Sequence, residues 1–186
     1  MTWIWIVLVV LIVLVGLWFT VTYNGLIRLR NLVQESWKQI DVELHRRYDL
    51  IPNLVETVKG YASHERGTFE AVTQARAAAS TPGATPAEQA QQENMLTGAL
   101  RQLFAVAEAY PDLKANQNFL ELQRQLTETE DRIAAGRRFY NANVRAFNTK
   151  IQSVPSNVVA GLFHFTEAEY FEVDDPNIRS APQVQF

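Results

Sequence analysis

The feature that most constrains this chain is an apolar stretch over residues 3–23, WIWIVLVVLIVLVGLWFTVTY. It holds no ionisable side chain other than Tyr23, and the first charged residue is Arg28. As an α-helix it would extend roughly 30 Å, which matches the hydrocarbon thickness of a bilayer. Aromatic residues stand where interfacial side chains belong, at Trp3, Trp5, Trp18 and Tyr23. The sequence therefore predicts a transmembrane anchor over residues 1–23, with the lipid bilayer as its partner.

A cleaved signal peptide is the alternative interpretation of this stretch. Such a peptide needs a basic segment before its apolar core, whereas residues 1–3 are Met-Thr-Trp. The Thr-Val-Thr sequence at residues 20–22 matches a small-x-small cleavage site poorly. The uncleaved anchor is therefore favoured.

Basic residues follow the apolar stretch but do not precede it. They are Arg28, Arg30 and Lys38. Because Lys-rich and Arg-rich flanks of a span stay in the cytoplasm, we expect a single-pass protein whose bulk is cytoplasmic. The alternative is that the two arginines are ordinary surface residues of a helix and that other features determine the membrane topology.

Composition and motif spacing exclude several functional classes. The chain has 186 residues and a formal net charge of -3, so it lacks the cationic surface of a nucleic-acid binder. With no cysteine, it has no disulfide, thiolate metal site or cysteine nucleophile. None of the three histidines has a partner at di-iron or zinc-protease spacing, and no phosphate-binding glycine loop occurs. We expect no nucleic-acid partner, no metal, no cofactor and no catalytic residue.

Helical periodicity fills the rest of the chain. Apolar residues recur every three or four positions, and breaks are predicted at Asp49–Pro52, at residues 80–86 before the capping-box sequence Thr85-Pro86-Ala87-Glu88, and at Pro111-Asp112. The predicted helices are 24–48, 50–80, 86–109 and 112–153, followed by an aromatic-rich tail over 154–186. The tail is expected to cover the last helix or to lie near the membrane. The predicted fold class is all-α: an N-terminal transmembrane helix continues into an antiparallel up-down four-helix bundle with an extended C-terminal tail.

In this arrangement the turns at 47–53 and 109–116 meet at the membrane-distal end. Polar residues at these turns form the candidate partner-binding surface: Arg46, Arg47, Asp49, Asn53, Asp112, Lys114 and Asn116. The structural interpretation is that the arginines complement a helix dipole while Asp49 caps the second helix. The functional interpretation is a docking surface for a protein partner.

Four polar residues on predicted apolar faces are expected to have structural roles. They are Glu65, Arg76, Asn141 and Asn148. If buried, Glu65 and Arg76 each need a partner on another helix, for which Arg137, Arg138 and Glu130 on the predicted fourth helix are candidates. The two asparagines, one heptad apart, are expected to fix helix register through hydrogen bonds.

The order of these motifs resembles the LemA family. The most specific part is DVELHRRYDLIPNLV, from Asp41 to Val55, accompanied by YNGL at 23–26, YPDLKA at 110–115, Tyr140-Asn141 and Tyr170-Phe171. The resemblance covers essentially the whole chain. It implies a bacterial inner-membrane protein with a helical-bundle domain and no assigned catalytic activity.

The function expected on these grounds is that of a membrane-anchored, non-enzymatic scaffold or adaptor with a protein partner not yet identified. The first alternative is a self-assembling, membrane-organising protein that forms a homo-oligomer through its long fourth helix and its tail. The second alternative is an enzyme, which would require a deep polar pocket with clustered titratable groups.

Overall fold

The computed structural model describes residues 2–172. Within that range all regular secondary structure is helical: α1 Thr2–Lys59, α2 Arg66–Ala79, α3 Pro86–Glu108, α4 Pro111–Lys114, α5 Gln117–Gln152 and α6 Ser156–Leu162. The predicted all-α class with a long N-terminal apolar helix is confirmed, whereas the up-down bundle stays a prediction. Residues 173–186 of the predicted tail lie outside the described residues.

The chain divides into two compact units. Within the described residues, the anchor unit comprises residues 2–40 and Gly136–Glu169, and the polar-core unit comprises Asp41–Ala135 and residues 170–172. Helices α1 and α5 each contribute a segment to both units.

The anchor unit begins with the apolar part of α1. Large apolar side chains from Trp3 to Leu17 are 46–78% exposed, so no part of the described chain covers them. Only α1, among the described helices, is long and apolar enough to cross a membrane. Trp3 and Trp5 are strongly exposed, Trp18 is 38% exposed, and Tyr23 is half-buried. A fully exposed apolar helix of this length is stable in lipid rather than in water, which supports a membrane anchor.

Beyond Tyr23 the same helix acquires a buried face. The core of the anchor unit consists of Leu26, Val33 and Ile40 from α1, Tyr140, Val144 and Phe147 from α5, and Val159 and Ala160 from α6. Gly136 permits a close approach of α5 to α1, because a Cβ atom there would lie 3.1 Å from Cγ1 of Ile40. Trp37 packs against Tyr140, with ring centroids 5.4 Å apart.

The polar-core unit contains residues 41–59 of α1, helices α2, α3 and α4, and residues 117–135 of α5. Its apolar core includes Leu44, Ile51, Leu54, Val58, Val72, Leu96, Leu103, Leu113 and Leu126. The start of α3 is as predicted: the Thr85 hydroxyl accepts from the Glu88 amide at 3.3 Å, and the Glu88 carboxylate accepts from the Thr85 amide at 2.9 Å. This reciprocal pair satisfies two donors that the first helical turn leaves free.

The predicted turn at 47–53 is wrong, because α1 continues through Pro52 to Lys59. Proline has no amide hydrogen, so the carbonyl of Tyr48, four residues earlier, loses its helical donor. Nε of Arg76, from α2, donates to that carbonyl at 2.7 Å. The compensating bond lets the helix run past the proline. Asp49 is consequently an exposed residue inside a helix and not a cap.

The connection between α1 and α2 instead occupies residues 60–65. Gly60 and Tyr61 close the last turn of α1, their amides donating to the carbonyls of Glu56 and Val58. The predicted break at Pro111-Asp112 is close to its position, since α4 begins at Pro111 and α5 follows after Ala115 and Asn116. Asn116 caps α5, because its Oδ1 accepts from the amide of Phe119 at 3.1 Å.

Candidate functional site

A network of buried polar side chains in the polar-core unit surrounds Arg47, which is 2% exposed. Its Nη1 donates to Oε1 of Glu130 at 2.6 Å, and its Nη2 donates to Oε2 of Glu93. The Glu93 side chain is 3% exposed, whereas that of Glu130 is 42% exposed. One guanidinium therefore links α1 to α3 through a buried ion pair and to α5 through a pair that reaches solvent.

The carboxylate of Glu93 has two further donors. Oε1 accepts from the hydroxyl of Tyr48 and from Nε2 of Gln89 at 2.9 Å. Nε2 of Gln89 also lies 2.9 Å from the Tyr48 hydroxyl and from the carbonyl of Ala79 at the end of α2. Three donors around one buried carboxylate offset much of its desolvation cost.

Burial, and then the neighbouring Glu93 carboxylate, raise the pKa of Tyr48 above its ordinary value. Like an unperturbed tyrosine, Tyr48 is protonated at neutral pH, and the raised pKa extends its role as a hydrogen-bond donor to more alkaline pH. Together with the Arg76 bond to the Tyr48 carbonyl, these contacts define the Arg47 cluster: Arg47, Tyr48, Arg76, Gln89, Glu93 and Glu130. It joins four helical segments.

The Arg47 cluster links its helices through hydrogen bonds and ion pairs between side chains. Arg47 is paired with both carboxylates, Arg76 donates to the Tyr48 carbonyl, and the phenol of Tyr48 donates to Glu93. Within residues 2–172, no group of three His, Cys, Asp or Glu side chains could hold a metal ion. Buried ion pairs of this kind can specify which arrangement of helices forms, because each mispacked alternative leaves a charge without its partner.

A second polar region lies where the α1–α2 connection meets the α3–α4–α5 connection. Nδ2 of Asn116 donates to the hydroxyl of Tyr61 at 3.0 Å, which ties the two connections together. Asp112 and Lys114 are exposed on α4, and Leu120 is 49% exposed on α5. We call these five residues the corner surface.

The corner surface borders a cavity of about 120 Å³. Its lining combines apolar side chains with a polar rim: Phe104, Ala107, Glu108, Lys114, Phe119, Leu120 and Gln123. Phe104 and Phe119 stack in a tilted arrangement with ring centroids 6.3 Å apart. The pocket can hold an apolar side chain of a partner, while Lys114 and Glu108 can form ion pairs with charged residues beside it.

The structure divides the predicted partner-binding residues into three groups. Asp112, Lys114 and Asn116 lie together at the corner surface. Arg46, Asp49 and Asn53 are exposed along α1, the last of them six residues before the helix end. Arg47 is buried, so its expected place on a docking surface is wrong.

The predicted structural residues also differ in their surroundings. Glu65 is half-exposed at the N-terminus of α2, where its carbonyl accepts from the Thr68 and Phe69 amides. The side-chain amide of Asn148 donates to the Ala168 carbonyl and accepts from the Ala168 amide, both at 2.9 Å. Asn141 is half-buried on α5. Asn148 thus clamps the segment after α6 onto α5 and does not join two helices.

The sequence analysis missed Gln89, Glu93 and Tyr61. A signal for the first two is present, since Gln89, Glu93, Leu96, Leu100 and Leu103 follow the four-three-four-three spacing of one buried helix face. Two polar residues on such a face indicate a buried polar contact. Tyr61 lies beyond the predicted turn, and no local pattern marks it.

A sequence model of the LemA family matches residues 36–186. This chain belongs to the LemA family. Protein LemA of Metamycoplasma hominis is 30% identical over 168 residues, which cover 84% of this chain and 75% of that protein.

Magnetosome protein MamQ 2 of Paramagnetospirillum magneticum is 28% identical over 175 residues, covering 81% of this chain. Magnetosome protein MamQ of Magnetospirillum gryphiswaldense is 25% identical over 174 residues, covering 80% of this chain. This LemA-family chain spans 64% of the length of each of these two proteins. None of the names denotes an enzyme.

Proposed function

We propose that this LemA-family protein is a membrane-anchored, non-enzymatic scaffold that presents its corner surface to a protein partner. The observation that carries the proposal is the 120 Å³ cavity beside exposed Leu120, with Lys114 and Glu108 at its rim. Protein interfaces concentrate binding energy where an apolar anchor fills a pocket inside a polar rim. The partner is expected to supply one apolar side chain flanked by charged residues.

The Arg47 cluster supports this role indirectly. Its side chains connect four of the five helical segments of the polar-core unit, those from α1, α2, α3 and α5. A rigid scaffold loses little conformational entropy when a partner docks, so preorganisation favours binding. In this proposal the Arg47 cluster stabilises the helix arrangement that forms the corner surface.

Photo-crosslinking in living cells tests the docking proposal. A photoreactive phenylalanine at position 120 should give one recurring adduct, whereas the same residue at exposed Met95 on α3 should not. Lys114→Glu should abolish that adduct, while Arg101→Glu, an exposed charge reversal on α3, should leave it. Both charge variants should retain the unfolding midpoint of the parent. An adduct that survives Lys114→Glu, or that forms equally from position 95, would exclude this surface.

We further propose a location in the bacterial inner membrane with a single pass and a cytoplasmic polar-core unit. The exposed apolar part of α1 and the basic residues after it support this topology. Since the chain has no cysteine, Thr2→Cys and Ser63→Cys give single reporters on either side of the span. In intact cells an impermeant maleimide should label position 2 and spare position 63. Labelling of position 63 but not of position 2 would show that the polar-core unit lies on the outer side of the membrane.

The second candidate is self-assembly that organises the membrane. It is favoured by Phe139, which is 53% exposed on α5, and by similarity to proteins named for the magnetosome. This role predicts concentration-dependent oligomers in detergent and in lipid discs that Phe139→Ser dissociates. A monomeric mass at all concentrations would eliminate it.

A further inference from the structure

The residue that follows α6, Phe163, contacts the apolar part of α1 through aromatic side chains. The ring centroid of Phe163, which follows α6 directly, lies 4.6 Å from that of Tyr23 and 5.8 Å from that of Phe19. Phe19 and Tyr23 occupy the last turns of the predicted span. Phe163 therefore lies beside the last turns of the predicted span.

The segment around α6 is apolar on its outer side. Val154, Val158 and Leu162, at intervals of four residues, are 81%, 57% and 62% exposed, and Phe163 is 47% exposed. The opposite side of α6, formed by Ser156, Val159 and Ala160, is buried in the anchor unit. Exposed apolar side chains grouped in this way mark a contact with lipid or with another protein.

Charge is nearly absent from the same segment. Between Lys150 and Glu167 the only ionisable side chain is that of His164. The remaining surface residues of this stretch are small, apolar or uncharged, so insertion into the headgroup region would bury no permanent charge. This pattern favours a lipid surface over a salt-bridged protein interface.

The backbone turns back immediately after this segment. His164 has a φ of 52° in the left-handed region, and Phe165 then contacts Phe147 and the guanidinium of Arg30, at 6.3 Å and 5.4 Å. Arg30 lies seven residues beyond Tyr23, or roughly 10 Å along the helix. Phe163, at the end of residues 154–163, thus contacts the last turns of the predicted span directly.

We propose that α6 and its flanks, residues 154–163, are a second membrane contact that rests in the interface of the bilayer crossed by α1. Its apolar stripe is continuous with the apolar surface of the span through the Phe19–Tyr23–Phe163 contacts. Lipid is the occupant that covers both surfaces at once. The contact fixes the rotation of the anchor unit about the span, which a single transmembrane helix leaves free.

Depth-dependent fluorescence quenching of the full-length protein in phosphatidylcholine–phosphatidylglycerol vesicles tests this proposal. Because native cysteine is absent, Val158→Cys and Leu162→Cys can each carry one environment-sensitive fluorophore. The matched control is Ala142→Cys, an exposed site on α5 of the same unit, ten residues before the helix end. Fluorophores at 158 and 162 should be quenched by spin-labelled lipids and spared by iodide, with a depth of about 5–10 Å into the headgroup–acyl boundary. The fluorophore at 142 should show the reverse.

Two results would overturn the proposal. Iodide quenching at 158 and 162 equal to that at 142 would place the stripe in water. Shielding from both iodide and spin-labelled lipid, together with energy transfer between labelled copies, would show that a second copy covers the stripe. The helical circular dichroism of each labelled variant should match the parent, and the two labelled positions provide independent readouts.

Discussion

Removal of the Arg76 side-chain donor tests how α1 passes Pro52. Arg76→Met keeps most of the aliphatic volume but removes the Nε–H that donates to the Tyr48 carbonyl at 2.7 Å. Tyr48 is 3% exposed, so water has poor access to a replacement position. Loss of a charged donor to a buried acceptor should lower the free energy of unfolding by about 1.5–3 kcal/mol.

The same substitution should cost much less when residue 52 has an amide hydrogen. In Pro52→Ala, that amide can donate to the Tyr48 carbonyl through the ordinary helical bond. Arg76→Met in this background should therefore cost about 1 kcal/mol or less, which leaves a coupling of at least about 0.5–2 kcal/mol between the two positions. Urea unfolding in detergent, followed by far-ultraviolet circular dichroism, measures all four members of the cycle.

Exposed Arg101→Met on α3 is the matched control, and its cost should stay within about 0.5 kcal/mol in both backgrounds. Equal costs of Arg76→Met with proline and with alanine at position 52 would refute the reasoning. In that case the arginine would stabilise α2 by some contact unrelated to the proline.

Three further predictions follow from particular side chains. Glu93→Gln, which leaves a buried arginine short of its buried counter-charge, should lower the free energy of unfolding by about 3–5 kcal/mol, whereas Glu130→Gln, at a 42% exposed side chain, should cost about 1 kcal/mol or less in the same urea assay. Gly98→Ala, with open space around its Cβ position, should stabilise α3 by about 0.5–1 kcal/mol, and Gly136→Ala should lose that gain because its Cβ would lie 3.1 Å from a buried isoleucine. Burial raises the pKa of Tyr140 from 10.0 to about 12. As the pH rises, Tyr140 therefore loses its phenolic proton at lower pH in the unfolded chain than in the folded protein. The free energy of unfolding should decline between pH 10 and pH 12 in the parent but not through this residue in Tyr140→Phe, as measured by alkaline unfolding.

Local patterns predicted the elements whose causes are local. The apolar stretch, the helical periodicity and the capping box at Thr85 each involve residues within a few positions of one another. The predicted break at Pro52 was wrong because the Tyr48 carbonyl that the proline leaves without a donor is satisfied by Arg76, 28 positions after Tyr48. A proline signals an unsatisfied carbonyl but does not reveal whether a distant side chain will satisfy it.

The candidate site shows the same division. Asp112, Lys114 and Asn116 were predicted to lie beside a turn at 47–53, and this is wrong because α1 continues to Lys59. Asn116 instead donates to Tyr61 in the connection that follows α1. Arg47 was expected at the surface because arginines usually are, and its burial depends on Glu93, 46 positions away. Whether such an arginine is buried depends on a charged partner far away in the sequence, and residue spacing along a single helix does not reveal that partner.

The intact mass and extraction behaviour of the protein isolated from cell membranes give the most direct test of anchoring. The predicted result is a chain that retains residues 3–23 and stays in the membrane after alkaline carbonate washing, because a span of about 20 apolar residues holds a protein in the bilayer. A mature chain that begins after Thr22, or full release by carbonate, would contradict the membrane-anchored scaffold.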